Sequence, residues 1–120
     1  MTRGDAQGTV LVIDDEPAIR LLCRVNLELE GYHVLEATSL TAARRTLGAE
    51  DVDVVLLDMR IGLERGDDML DELAERGLPV IVVTGSAEVD PAWSGKTAAV
   101  LGKPFQIDEL LRVVNSLAPR

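Results

Sequence analysis

The chain has 120 residues, 47% apolar and 28% charged, which suits one globular domain and leaves little room for a second. Twelve basic against 21 acidic residues give a net charge of −9, the wrong sign for nucleic acid or an anionic membrane surface. One cysteine excludes an intramolecular disulfide, and with neither a signal-peptide pattern nor an apolar run near the ~18–20 residues of a membrane span, a cytoplasmic protein is expected.

Residues 1–8 read as an N-terminal extension. Thr9–Ile13 is a β-branched run without polar alternation, the pattern of a strand covered on both faces. Ala18, Leu22, Val25 and Leu29 form a stripe at helical spacing, with Gly31 placed to end the helix. Tyr32–Ala37 reads as a second strand, and Leu40, Ala43 and Leu47 mark a shorter helix ending near Gly48. Asp53–Asp58 brackets a third strand, and Met69, Leu70, Leu73 and Ala74 mark a helix ending at Gly77. Pro79–Thr84 supplies a fourth strand. The 18 residues from 85 to 102 contain Gly85, Pro91 and Gly95, so the fourth helix is expected to be short or irregular. Ala98–Leu101 reads as a short fifth strand, and Ile107, Leu110, Leu111 and Val114 carry the last helix. This (βα)5 alternation predicts an α/β fold, a doubly wound parallel sheet whose right-handed crossovers put helices on both faces. With only Tyr32, Trp93 and Phe105 as aromatics, the core is expected to be aliphatic.

Ligands of such sheets bind beyond the carboxyl ends of the strands. There the chain offers Asp14, Asp15 and Glu16 after the first strand, Asp58 after the third, Thr84 after the fourth and Lys103 after the fifth. Asp14, Asp15 and Asp58 converging on one pocket would repel one another and raise their pKa values unless a cation joined them. Oxygen ligands without His or Cys favour Mg²⁺, with Mn²⁺ as a substitute, over Zn²⁺. The Thr84 hydroxyl and the Lys103 ammonium complete a set suited to a phosphoryl group. A central carboxylate can then serve as nucleophile and form an aspartyl phosphate.

Four segments carry a resemblance: Val10-Leu-Val-Ile-Asp-Asp-Glu16, Val54-Val-Leu-Leu-Asp-Met59, Pro79-Val-Ile-Val-Val-Thr84 and Lys103-Pro-Phe105. Together, in this order and across nearly the whole chain, they resemble response-regulator receiver domains of the chemotaxis-regulator type. The resemblance implies a receiver domain over 9–118 with the flavodoxin-like strand order 2-1-3-4-5. It implies that Asp58 takes a phosphoryl group from a phosphohistidine on a sensor histidine kinase or histidine phosphotransfer protein. Asp15, Asp58 and the backbone carbonyl of Arg60 would bind Mg²⁺, and Asp14 would act mostly through a water. Lys103 would pair with Asp58 or its phosphate, Thr84 would swing toward the phosphoryl oxygens, and Lys103-Pro104 would be cis.

The chain also departs from the family. Gly62 stands where a Pro is usual, Arg65 where an acid is usual before Gly66, and Val100 where a switch Tyr or Phe is usual. Gly62 adds conformational entropy to the loop from Arg60 to Gly66. Arg60 and Ser86 hold positions that tune dephosphorylation in the family. With 120 residues there is no room for an output domain, so the chain acts through an unidentified downstream protein, relays its phosphoryl group onward, or is part of a longer protein. It reads as a signalling module rather than a turnover enzyme, and as a monomer or weak dimer.

The alternative is a receiver-like interaction module that works without phosphorylation. A flavodoxin would need a phosphate-holding Ser/Thr/Gly loop where this chain has Asp14-Asp15-Glu16-Pro17. A haloacid-dehalogenase-type phosphatase would need an acid two residues after its nucleophile, where Arg60 stands. His33 is expected to be a strand residue, Cys23 an inert helical thiol, and Arg44-Arg45 a cluster too small for nucleic acid. Asp67-Asp68 fit a helix start, and Trp93 is expected to fill the gap left by the curtailed fourth helix.

Overall fold

A computed structural model describes residues 8–85 and 89–118. The N-terminal extension before Gly8, and Ser86, lie outside the described residues. The elements in chain order are β1 (Thr9–Ile13), α1 (Pro17–Leu29), β2 (His33–Ala37), α2 (Leu40–Ala49), β3 (Val54–Asp58), β4 (Arg60–Ile61), β5 (Glu64–Arg65), α3 (Asp67–Glu75), β6 (Val80–Thr84), β7 (Ala99–Gly102) and α4 (Ile107–Leu117). The long strands form one parallel sheet in the order β2-β1-β3-β6-β7. Without the two-residue strands β4 and β5, this is the 2-1-3-4-5 order expected from the resemblance.

The unbroken apolar runs have a direct cause. Side chains alternate between the sheet's faces, and both faces are covered. Leu11, Ile13, Val55, Leu57, Val80 and Val82 pack with Leu40, Ala43 and Leu47 of α2 and with Met69, Leu70 and Leu73 of α3. Val10, Val12, Val54, Leu56 and Ile81 pack on the other side with Cys23 and Leu27 of α1 and with Leu110 and Val114 of α4. The sheet thus separates two aliphatic cores. Each is mostly aliphatic, with Trp93 in one and Tyr32 in the other.

The fourth helix is curtailed, as the glycines and proline suggest. Among the described residues between β6 and β7 there is only a 3-10 turn, Pro91–Trp93, capped by Asp90 Oδ1 accepting from the Ala92 N–H at 2.9 Å. Trp93 is 4% exposed and joins the α2/α3 core, so the one indole takes space that a helix face would fill. Its Nε1–H donates to Asp67 Oδ1 at 3.1 Å, which satisfies the buried polar atom.

On α1 the structure corrects the sequence reading. The helix buries Cys23 and Leu27, with Ile19 packed beside them, and not the stripe of Ala18, Leu22, Val25 and Leu29. Two apolar stripes compete on this helix, and the one that includes Cys23 faces the core while the helix packs along β1 and β2. Leu21, Leu22, Val25 and Leu29 stay exposed. The loop from Arg60 to Gly66 also differs from a plain flexible segment. It closes into the antiparallel ribbon β4–β5, with Gly62 at φ +58 in its turn.

The two stripes predict unequal costs of truncation. Leu27 is fully buried whereas Leu22 is 40% exposed. Leu27→Ala should cost about 2–5 kcal/mol in urea unfolding, and Leu22→Ala no more than ~0.5 kcal/mol.

Candidate functional site

Parallel strands β1, β3 and β6 all end on the same side of the sheet, so the residues that follow them meet at one edge. β1 delivers Asp14, Asp15 and Glu16, β3 delivers Asp58, and β6 delivers Thr84. Carboxylate oxygens of Asp14, Asp15, Glu16 and Asp58 lie within 4.8 Å of one another. Lys103 enters from the turn after β7, where its backbone N–H donates to the Thr84 carbonyl at 2.8 Å. The Lys103-Pro104 bond is cis.

The Lys103 ammonium holds three of the four carboxylates. Nζ lies 3.1 Å from Asp14 Oδ2, 2.8 Å from Glu16 Oε1 and 3.0 Å from Asp58 Oδ2. An ammonium has three N–H donors, and here each has a carboxylate. Burial by itself would lower the Lys103 pKa, but the hydrogen bonds it donates to Glu16, Asp58 and Asp14 outweigh burial and raise the value. The lysine is therefore a fixed positive charge at neutral pH.

Asp14 is 2% exposed. Its pKa is raised above the ordinary carboxylate range, first by burial and further by the Asp58 charge. The Glu16 backbone N–H, donated to Asp14 Oδ1 at 2.9 Å, and the Lys103 ammonium offset part of that shift. Arg20 Nη1 holds the Asp14 carbonyl at 2.9 Å. Asp15 is exposed, and its Oδ2 accepts the Gly62 N–H at 2.8 Å. Asp58 Oδ1 accepts the Arg60 N–H at 3.1 Å while Oδ2 faces Lys103.

Four carboxylates against one ammonium leave the cluster short of positive charge. The donors are all oxygens, and no His or Cys belongs to the cluster. A hard divalent cation with oxygen ligands fits that set, as Mg²⁺ does. Outside the cluster, a cavity of about 650 Å³ opens between Asp58, Thr84, Arg60, Arg65 and Trp93. The structure thus brings Asp14, Asp15, Asp58, Thr84 and Lys103 to one edge, with Arg60 on the rim.

Three participants escaped the sequence reading. Glu16 was placed at the strand end but not as a partner of Lys103. The Gly62 N–H reaches Asp15 across 47 positions, and no local pattern announces that. Arg65 lines the cavity and gives its Nε–H to Asp67 Oδ2 at 2.8 Å. This bond, with help from the Trp93 N–H, holds the Asp67 carboxyl below the usual range. Elsewhere, burial pushes the Cys23 thiol up to about 12, in keeping with an inert thiol. No helix among the described residues is long and apolar enough to cross a membrane.

A model of the response regulator receiver domain matches residues 10–115. The chain is 35% identical over 114 residues to the alginate biosynthesis transcriptional regulatory protein AlgB of Pseudomonas aeruginosa, covering 91% of this chain and 25% of that protein. It is 35% identical to the probable transcriptional regulatory protein TcrX of Mycobacterium tuberculosis, covering 100% of this chain and 54% of that protein. It is 31% identical to sporulation initiation phosphotransferase F of Bacillus subtilis, covering 92% of this chain and 93% of that protein. The chain therefore spans a quarter to about half the length of the two transcriptional regulators. Among solved structures, it is similar to the response regulator TrrA of Thermotoga maritima in complex with Mg²⁺–BeF, at a TM-score of 0.82 and 27% identity, covering 92% of this chain and 98% of that one.

The raised Asp14 pKa has a consequence for stability. The fold favours the neutral carboxyl, so the stability that Asp14 contributes is fully present below the unfolded value near 3.8 and is lost as pH rises through the higher folded value. Asp14→Asn should raise the metal-free melting temperature at pH 7 by about 2–6 °C. The gain should shrink as the pH approaches 3.8, and calorimetry across that range checks both.

Proposed function

Because the chain belongs to the response regulator receiver domain family, we propose that it is the phosphoacceptor of a two-component system, with Asp58 as the residue phosphorylated and residues 9–118 as the receiver unit. One observation carries this reading. The Lys103 ammonium bridges Asp58, Asp14 and Glu16 at the strand ends, in a cluster that still lacks positive charge. A hydrolase would need a general acid beside its nucleophile, and the residue two positions after Asp58 is Arg60.

Asp14, Asp15, Asp58 and the Arg60 carbonyl would hold Mg²⁺, which when bound supplies charge neutralisation for the phosphoryl oxygens. Asp58 attacks the phosphorus of a phosphohistidine. The P–N bond breaks, the imidazole leaves with its electron pair, and the phosphoryl group remains on the Asp58 carboxyl as an acyl phosphate. Lys103 holds Asp58 in place beforehand and pairs with the new anion afterwards. Thr84, buried at the end of β6 beside the same cavity, is within the wall that the phosphoryl oxygens would meet.

The donor is a sensor histidine kinase or a histidine phosphotransfer protein, and the reaction belongs in the cytoplasm. The exposed side chains of Leu21, Leu22, Val25 and Leu29 support an apolar docking face on α1, which starts immediately after the acidic cluster. Relay of the phosphoryl group to another protein draws support from the likeness to a phosphotransferase along nearly the whole of both chains. Switching of a downstream partner is the other output, and the cavity by Trp93 is the face it would use.

Incubation with Mg²⁺ and an acyl phosphate should add one phosphoryl group to the intact mass. Asp58→Ala should abolish the gain. An unchanged mass in the wild-type protein would instead support a receiver-like module that binds partners without phosphorylation.

A further inference from the structure

The ribbon β4–β5 contains an arrangement that its own stability does not explain. Its register sets Arg60 directly opposite Arg65. Directly opposed residues of an antiparallel pair project from the same face, and like charges there are destabilising. A two-stranded ribbon of four residues has little stability in reserve. The neighbouring pair, Ile61 and Glu64, shows which way the faces point: Ile61 is buried in the α2/α3 core, so the two arginines stand on the other face. Both line the cavity that holds Asp58 and Thr84.

The remaining charges of the site make the arrangement more pointed. Lys103, the cation nearest Asp58, has all three donors taken by carboxylates. Four acidic groups crowd that side, and the chain as a whole carries −9. Besides a metal ion held by the carboxylates, the cations that line the cavity a dianionic phosphate would enter are the two arginines of the ribbon. Arg65 engages Asp67 through Nε alone, and among the described residues Arg60 has no ion-pair partner. A guanidinium offers paired N–H donors whose spacing matches phosphate oxygens.

We propose that Arg65, set opposite Arg60, forms a phosphate seat at the mouth of the Asp58 cavity that captures the dianionic phosphodonor before transfer. The anion relieves the repulsion between the two guanidinium groups, and Asp67 holds Arg65 when the seat is empty. This rests on Asp58 being the phosphoacceptor. Arg65 is then a binding residue for the donor, and Asp67 competes with the donor for it.

The test is the rate of phosphorylation per unit concentration of an acyl phosphate, read by intact mass with Mg²⁺ in excess. Arg65→Gln should lower that rate about five-fold or more, and added salt should slow the wild type more than the variant. Asp67→Asn separates a seat from a strut. If Arg65 serves only to anchor the ribbon through Asp67, both variants lose rate together. If Arg65 binds the donor, Asp67→Asn leaves the rate unchanged or raises it. Normal rates in Arg65→Gln, or equal losses in both variants, overturn the seat while leaving Asp58 as acceptor. Absence of any phosphorylation in the wild-type protein overturns the acceptor reading, and the seat with it.

Discussion

One ammonium ion organises the functional edge of this molecule. Lys103 lies 45 positions from Asp58 and 87 from Glu16, yet it bonds both and Asp14 as well. Three strand ends must be in register for that to occur, and the parallel order β2-β1-β3-β6-β7 brings them together. The cluster is costly to assemble, since burial and mutual repulsion both oppose charge on Asp14. A fold that kept it for stability alone would do better with neutral side chains. Strained electrostatics of this kind are expected where a protein handles an external cation and an anionic group.

The scaffold around that edge is simple. Two aliphatic cores are divided by the sheet, and neither includes the charged cluster. The site consists of residues just beyond the strands, held by backbone hydrogen bonds such as Lys103 N–H to the Thr84 carbonyl. The charged cluster and the packing are thereby assigned to different parts of the same strands: interior residues pack, and the residues at the strand ends carry the polar site. Asp58 makes the division visible, as the final residue of a five-residue strand whose other four members are apolar.

Much of this was legible beforehand, for physical reasons. Unbroken apolar runs such as Val54–Leu57 fit strands buried on both faces, and the acid or hydroxyl ending each run marks the carboxyl edge. Gly31 and Gly77 adopt positive φ where the helix ends were expected. The inward face of α1 was not legible, because Leu22, Val25 and Leu29 are as apolar as Ile19, Cys23 and Leu27, and periodicity cannot choose between two stripes. The ribbon β4–β5 was invisible because two-residue strands have no period. The Gly62 N–H to Asp15 bond and the Trp93–Asp67 bond depend on tertiary proximity, which local pattern does not encode.

The division of the interior by the sheet has a further meaning for how such a chain can change. Trp93 stands in for a helix on the α2/α3 side only, and the α1/α4 side retains both of its helices. The charged residues of the cluster hang from the strand ends and belong to neither layer. One layer can therefore be pared down or rebuilt while the other keeps its shape, and the charged edge need not alter with either. The sheet acts as a bulkhead between the two layers.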